Sequence, residues 1–146
     1  MTDRRNDPIR SFNFELEIDD IPRGAFSDVT GLVSEVQVAE YRDGNDRQLH
    51  TRRLAGLVKA SNLTLKRGVT PDDSLWQWYL NILNGVADRR NVTITLLDEA
   101  RTPKIRWHAE QCWICKIEGP ALKAAGNEVA MESVEIVHEG IVMELA

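Results

Sequence analysis

The sequence lacks most of the features that would place a chain in a specialised class of protein. It has two cysteines and five prolines in 146 residues, and none of its apolar runs is long enough to span a membrane as a helix. Two cysteines are too few for a disulfide-built scaffold, and a chain of this length can bury about 70% of its unfolded surface without one. We therefore expect an ordinary globular protein with a single domain over residues 1–146.

The chain also lacks a net basic charge. The formal net charge is −5, whereas general affinity for nucleic acid or for anionic membranes requires a basic surface. The first residues lack the apolar segment of a secretory signal. We expect synthesis and assembly in the cytoplasm, no specific nucleic-acid binding and no direct membrane insertion.

The charges that are present are unevenly distributed along the chain. Residues 40–67 contain seven basic and three acidic residues, whereas residues 110–146 contain seven glutamates and two lysines. Such a chain can attract copies of itself, because the basic segment of one copy can face the acidic segment of another. The alternative is that the two segments only solvate opposite surfaces.

Alternation of apolar and polar residues, the period of a β-strand, recurs throughout the sequence. In residues 104–117, one parity is apolar and is expected to face a core: Ile105, Trp107, Ala109, Trp113, Cys115 and Ile117. About seven such segments are present. They predict a mainly β fold, a curled antiparallel β-sandwich or barrel with one flanking α-helix.

The helix is predicted over residues 71–84. Thr70 is a suitable N-cap, Pro71 suits the first helical position and Gly85 is a natural terminator. Large apolar residues fall at helical spacing on one face, which predicts a helix packed on a sheet.

The alternation stops in residues 41–59, which are polar and basic with scattered leucines. Long irregular segments are uncommon in compact domains and usually have a function. Apolar side chains beside basic ones favour a segment that grips a partner. The alternative is a mobile hairpin folded over its own domain.

Cys112 and Cys115 have the spacing of a redox or zinc pair. They lie inside an alternating strand pattern, where residues three apart point to opposite faces. A second cysteine pair that could complete a zinc site is missing from the sequence. A small redox or metal enzyme is therefore the least favoured hypothesis.

An ordered series of short motifs runs through nearly the whole chain. The motifs are FSDVTGL (26–32), EYRDG (40–44), LKRG (65–68), LWQW (75–78), RRNV (89–92), LDE (97–99), GP (119–120), GNEVA (126–130) and HEG (138–140). Together they resemble the inner-tube proteins of contractile injection systems, in the phage tail tube family. Each motif is short, but the ordered set is specific.

The resemblance implies a structural, non-enzymatic subunit that needs no cofactor. It implies hexameric rings that stack into a hollow tube inside a contractile sheath and form a conduit for effector delivery. The implied partners are other copies of the chain, the sheath protein, baseplate or spike hub proteins and cargo effectors in the lumen. The particle would be released from the cell or anchored in it.

The long projecting hairpin arm of the family matches residues 41–59 and reaches a neighbouring ring. Contacts between subunits are expected at these arm residues: Tyr41, Arg42, Leu49, Arg52, Arg53, Leu54 and Leu57. Their expected acidic partners on an adjacent subunit are Glu128, Glu132 and Glu139. Trp76, which lies outside the apolar stripe of the helix, is expected at a contact between neighbours in a ring.

Two related functions remain open at this point. One is the ring-forming tube protein of type VI secretion, and the other is a baseplate-proximal tube initiator. The lumen face is also open: Asn13, Glu15 and Glu17, or Thr93 and Thr95, are candidates, but parity does not separate a lumen from an outer surface.

Overall fold

The computed structural model describes residues 8–21, 26–45 and 51–146. These residues form strands that pair antiparallel and one α-helix. The strands are β1 (Phe14–Ile18), β2 (Phe26–Thr30), β3 (Ser34–Tyr41), β4 (Arg52–Ala60), β5 (Leu63–Gly68), β6 (Arg90–Leu97), β7 (Pro103–Glu118), β8 (Met131–Val137) and β9 (Ile141–Leu145), and the helix α1 spans Ser74–Leu83. The prediction of a mainly β, antiparallel fold with one helix is confirmed.

Strand β7 belongs to two sheets. Its first half pairs with β6 and β9, and β6 pairs with β1, which gives sheet A the order β1-β6-β7-β9. Its second half pairs with β8, which gives sheet B the order β2-β5-β8-β7. Buried residues of both sheets form one apolar cluster that also includes Leu75 and Trp78 of α1.

Strands β1 and β6 follow the predicted alternation. Leu16 and Ile18 of β1 are buried, as are Val92 and Ile94 of β6. The residues between them lie on the opposite face of sheet A, because successive side chains of a strand alternate. One face of this sheet is therefore apolar and covered, and the other is polar.

A bulge at Gln111 reverses which side chains of β7 face the core. Gln111 has a φ of 54°, and the register between β6 and β7 shifts at this point. Ala109 is buried before the bulge, whereas Cys112 and Ile114 are buried after it. The prediction that Trp113 and Cys115 share the core face with Ala109 is wrong, because the inserted residue shifts the two-residue period by one.

Helix α1 begins three residues later than predicted, at Ser74 instead of 71. Asp73 is the N-cap residue and its side chain makes no capping hydrogen bond. Asp72 Oδ1 instead accepts hydrogen bonds from the backbone N–H of Ser74, at 3.0 Å, and from its hydroxyl. The prediction of Thr70 as N-cap is wrong, because this local turn at Asp72 takes the place of the first helical turn.

The other end and the buried face of α1 agree with the sequence. Gly85 follows the last turn with a φ of 80°, a left-handed conformation that glycine adopts readily. Trp78 is fully buried, and its indole Nε1 donates a hydrogen bond of 2.9 Å to the carbonyl of Asp88. Burial of one such side chain contributes roughly 1.5–3 kcal/mol to folding.

Strands β3 and β4 form a two-stranded sheet of their own. This hairpin, residues 34–60, is called the arm below. It is longer at its base than the predicted range 41–59, because β3 already pairs with β4 at Ser34 and Ala60.

Candidate assembly surfaces

The arm leaves its apolar side chains in solvent. Every residue of β3 and β4 is exposed, with Val38 at 63%, Val58 at 69% and Leu57 at 77% of full exposure. A two-stranded hairpin alone is marginally stable in water, and contiguous exposed apolar surface marks contact sites. The arm thus has the surface of a segment that another molecule covers.

Both faces of the arm are partly apolar. Directly opposed residues of an antiparallel pair share a face. The face called the valine face carries Val36 opposite Val58, Val38 opposite Ala55 and Glu40 opposite Arg53. The other, called the tyrosine face, carries Ala39 opposite Leu54 and Tyr41 opposite Arg52.

This register separates two residues that the sequence suggested would act together. Arg52 and Arg53 lie on opposite faces of the arm, so they cannot meet the same acidic group. Arg42 and Tyr41 lie at the outer end of β3 and are exposed. Leu49, another predicted contact residue, lies outside the described residues.

The root of the arm is a close contact between two loops. Gly31 has a φ of 98°, and a Cβ at this position would lie 2.1 Å from the carbonyl oxygen of Asn62. Asn62 Nδ2 donates a hydrogen bond of 2.9 Å to Glu135 Oε1. Beside it, His138 Nε2 lies 2.7 Å from the carbonyl oxygen of Ser61. These contacts attach both connections of the arm to sheet B.

Glu132 is held inside its own subunit. Its Oε1 accepts a hydrogen bond from Arg67 Nε, and Arg67, only 4% exposed, also lies 3.5 Å from Asp72 Oδ2 and over the ring of Phe26. The pKa of Asp72 is lowered, chiefly by the hydrogen bonds from Ser74 and further by Arg67. This network links β2, β5, β8 and the segment before α1. The Glu132 carboxylate, which was predicted to bind the arm of an adjacent subunit, is bound here by Arg67 of its own chain.

The two other predicted acidic partners lie at the surface. Glu139 Oε1 lies 3.6 Å from Arg89 Nη1, in an ion pair whose partners are both exposed. Glu128 is exposed in the segment before β8. Within the ranges 8–21, 26–45 and 51–146, Glu128 has no ion-pair partner.

Trp76 lies on the outer side of α1 and is 49% exposed. Its ring contacts that of Tyr79, with the centroids 5.8 Å apart. A half-exposed tryptophan has apolar area left to bury, as the prediction of a contact here requires.

The two cysteines are both free. Burial raises the pKa of the Cys112 thiol to about 11, and burial also raises that of Cys115, followed by the charge of Glu135. In the part of the chain that the structure describes, no group of three metal-binding side chains comes together. The environment of these thiols disfavours the reactive thiolate.

The outer face of sheet A is a polar surface that sequence reasoning found only in part. Its rows join the predicted Glu15, Glu17, Thr93 and Thr95 to residues of β7 and β9 that were not singled out: Arg106, His108 and Glu144. His108 Nε2 lies 2.7 Å from Glu144 Oε1, and His108 Nδ1 lies 3.2 Å from Thr93 Oγ1. The alternation of β7 in the sequence could have placed Arg106 and His108 on this face. Glu144 could not be placed in the same way, because the sequence does not show that β9 pairs with β7.

An exposed apolar arm, a half-exposed tryptophan and a polar sheet face are surfaces of a protein that assembles. A family model, T4-like virus tail tube protein gp19, matches residues 10–142. The chain belongs to this tail tube family. It is a structural tube subunit, and the resemblance stated from the sequence is confirmed.

Solved structures with the same fold come from contractile injection systems. A chain of the anti-feeding prophage baseplate is 25% identical, with 96% of this chain and 97% of that chain covered and a TM-score of 0.82. A chain of the extracellular contractile injection system PVC, from its sheath-tube complex in the extended state, is 23% identical, with 97% and 94% covered and a TM-score of 0.83.

More distant structures share the fold of this tube subunit. Hcp1 from Flavobacterium johnsoniae is 11% identical, with 89% of this chain and 93% of that chain covered and a TM-score of 0.59. A comparison with curated protein sequences found no match. No helix in the described ranges is long and apolar enough to cross a membrane.

Proposed function

We propose that this protein forms hexameric rings that stack into the hollow inner tube of a contractile injection system. The observation that carries the proposal is the arm, whose apolar side chains on two faces are uncovered in the single chain. Another copy of the chain supplies the missing cover. The role is structural and non-enzymatic, and residues 1–146 act as one domain.

Ring closure follows from the edges of sheet A. Among the described strands, β1 pairs in a ladder only with β6, and β9 only with β7. The four strands alternate in direction, so β9 of one subunit beside β1 of the next continues the antiparallel order around the ring. Edges that would invite aggregation in a monomer are then paired.

The polar face of sheet A lines the channel in this arrangement. The opposite face is buried against the core, so a closed ring of these sheets turns its polar face inward or outward. We choose the inward orientation and place helix α1 and sheet B, which pack on the core side of sheet A, in the outer layer. Glu15, Glu17, Thr93 and Arg106 would then face the lumen and any cargo effector.

Stacking is assigned to the arm. Its apolar side chains and Arg42, Arg52 and Arg53 reach adjacent subunits. Of the three predicted acidic partners, Glu128 is the one left available, since Glu132 is bound by Arg67 and Glu139 by Arg89, and it serves only one face of the arm. Trp76 belongs to a contact between neighbours in one ring. Its fluorescence should report burial on assembly.

The partners outside the tube are the sheath, baseplate or hub proteins and cargo. The similar PVC chain comes from a sheath-tube complex and the similar prophage chain from a baseplate. We assign assembly to the cytoplasm, in a particle that is later released or anchored in the cell.

Negative-stain electron microscopy of the purified protein tests the proposal. Rings and tubes are expected, and a strictly monomeric protein at high concentration would contradict it. The variant with Arg52→Glu and Arg53→Glu should keep the folded monomer, because exposed charges contribute little within a subunit, but it should give fewer and shorter tubes. If the number and length of the tubes were unchanged in this variant, the assignment of the arm to the stacking contact would be wrong.

A second candidate is a ring-forming protein of type VI secretion or a baseplate-proximal initiator. The similarity in fold to Hcp1 favours the first and the prophage baseplate chain the second. If the purified protein formed rings that never stacked into tubes, this candidate would be favoured over the main tube protein.

A further inference from the structure

A small apolar patch at the end of sheet B lies exposed on the subunit. Val69 is 46%, Val129 76% and Met131 39% exposed. Two of them adjoin Gly68 on one face: Met131 pairs with Gly68, and Val129 Cγ1 lies 3.8 Å from where a Cβ of Gly68 would be. Val69 follows Gly68 and its N–H donates a hydrogen bond of 2.9 Å to the carbonyl of Ala130, so its side chain alternates to the other face. We call Val129 and Met131, with Gly68 between them, the Val129 patch.

Among the residues that the structure describes, a Cβ at Gly68 would meet only Val129 Cγ1 within 4 Å, so no other described side chain covers the backbone of this patch. The residues around Gly68 are held in place, since Gly68 ends β5 and Met131 begins β8 in a regular antiparallel ladder. A flat apolar stripe can therefore lie against it without rearrangement of the strands.

The charge beside the patch is acidic. Glu128 directly precedes Val129 and is exposed. The nearest basic residue on the same face of β5, Lys66, lies opposite Asp28 of β2. A partner that covers the patch therefore fits best if it brings apolar side chains with a positive charge at one end.

The valine face of the arm has this composition. Val36 with Val58 and Val38 with Ala55 form two successive cross-strand pairs, and the next pair joins Arg53 to Glu40, so the positive charge is on the β4 side of this face. Successive pairs on one face are about 7 Å apart. In the described ranges neither Arg53 nor Glu128 has an ion-pair partner.

We propose that the valine face of the arm docks on the Val129 patch of a second copy of this chain, with Arg53 beside Glu128. The proposal rests on the proposed function, because it names the surface of the adjacent subunit that receives the arm. The tyrosine face, with Arg52, points away from this contact and is left for a different neighbour.

A charge exchange tests the pairing. Arg53→Glu and Glu128→Arg should each reduce the mass of sedimentable tubes about fivefold, the scale of one exposed ion pair in each contact, and the double variant should restore most of it. The matched control combines Arg52→Glu with Glu128→Arg and should show no restoration. Restoration by Arg52→Glu instead of Arg53→Glu would overturn the assignment of the face.

Cysteine cross-linking tests the apolar contact without a change of charge. Val38→Cys combined with Val129→Cys should give a ladder of covalent oligomers on a non-reducing gel after mild oxidation of assembled protein. Each single variant, and Leu54→Cys with Val129→Cys, should give none. A ladder from the Leu54 variant, or tubes without a ladder from the Val38 variant, would refute the docking surface.

The outcomes for the two proposals are separable. If the unmodified protein forms tubes but the exchange and the cross-link both fail, the Val129 patch is wrong and the tube assignment stands. If the unmodified protein forms neither rings nor tubes, the proposed function itself fails, and with it this docking.

Discussion

At the scale of single residues, the structure distinguishes charges that hold the subunit together from charges that are left for partners. Arg67 is buried with Glu132 and Asp72 around it, whereas Arg10 and Glu99 are paired at 3.6 Å with both side chains largely in solvent. Buried ionic groups are costly when one partner is lost, and exposed pairs contribute little.

Removal of the Arg67 charge should therefore destabilise the subunit strongly. Arg67→Met leaves Glu132 without its partner in a site that is 22% exposed, and the free energy of unfolding should fall by roughly 3–5 kcal/mol. Urea denaturation measures this. The matched control Arg10→Met should change it by less than about 0.5 kcal/mol, and equal losses in both variants would contradict the buried role of Arg67.

Acid should weaken a second ion pair, between Asp88 and Arg90. The hydrogen bond from Arg90, whose side chain is 14% exposed, lowers the pKa of Asp88 from its ordinary 3.8. The lowered pKa means that this stabilisation is complete above the unfolded pKa and is lost as pH falls through the folded one. Asp88→Asn should cost roughly 1–2 kcal/mol at pH 6, and the difference from wild type should shrink below about pH 4. A difference that stays constant down to pH 2.5 would show that the charge of Asp88 does not stabilise the fold.

The thiols should be unreactive in the folded subunit. With a pKa raised from 9.0 to about 11, Cys112 has about 100-fold less thiolate near pH 8 than an ordinary cysteine. Alkylation by iodoacetamide, followed by mass spectrometry, should be slower than in urea by at least that factor. Fast modification of native Cys112 would revive the redox hypothesis, whereas full assembly and retained structure in the double Cys→Ser variant would exclude it.

At the scale of elements, the attachment of the arm depends on Gly31. A side chain there would meet the carbonyl of Asn62 at 2.1 Å and would have to adopt a φ of 98°. Gly31→Ala should cost more than about 1 kcal/mol and should disturb tube formation more than the core. Gly44→Ala is the matched control, since a Cβ at Gly44 meets nothing within 4 Å. Hydrogen exchange of the backbone amides of β3 and β4 should be faster in Gly31→Ala than in Gly44→Ala. Equal protection in the two variants would show that the attachment of the arm does not depend on Gly31.

The spacing of apolar residues in the sequence predicted which segments form strands and the helix better than it predicted bulges and the exact ends of these elements. Alternation identified β1 and β6 because each has one covered face, and the face of α1 with Leu75 and Trp78 followed from helical spacing. The bulge at Gln111 was not predictable, since the inserted residue is polar and breaks no local rule. The predicted helix start was wrong because Thr70 and Asp72 both have side chains suited to capping, and the hydrogen bonds from Ser74 to Asp72 form the turn that precedes α1.

The candidate site was predictable only where contacts are local. The arm and Trp76 stood out as apolar groups without an obvious core position. Glu132 did not reveal its partner, because Arg67 lies 65 residues away in the chain and only the pairing of β5 with β8 brings them together. Arg52 and Arg53 are adjacent in sequence, and their separation onto two faces required the register of the hairpin.

At the scale of the whole molecule, the uneven charge distribution should make assembly depend on salt. In the proposed tube, the basic segment 40–67 of one copy would attract the acidic segment after residue 110 of another, and this attraction would be screened over about 10 Å at 0.1 M salt and about 3 Å at 1 M. The rate of tube formation, followed by light scattering, should fall roughly tenfold or more between 50 mM and 500 mM NaCl. The variant Arg52→Glu with Arg53→Glu should respond less, and an equal response would place the sensitive charges elsewhere.

The continuity of β7 through both sheets has a mechanical consequence. Two separate sheets could slip past each other along their packed side chains when a tube is pushed against a target. Here the same backbone is hydrogen-bonded to β6 and β9 in one sheet and to β8 in the other. A force that shears the layers must therefore stretch a covalent chain or break several ladder pairs at once, so the wall of the tube should resist thrust as a single shell.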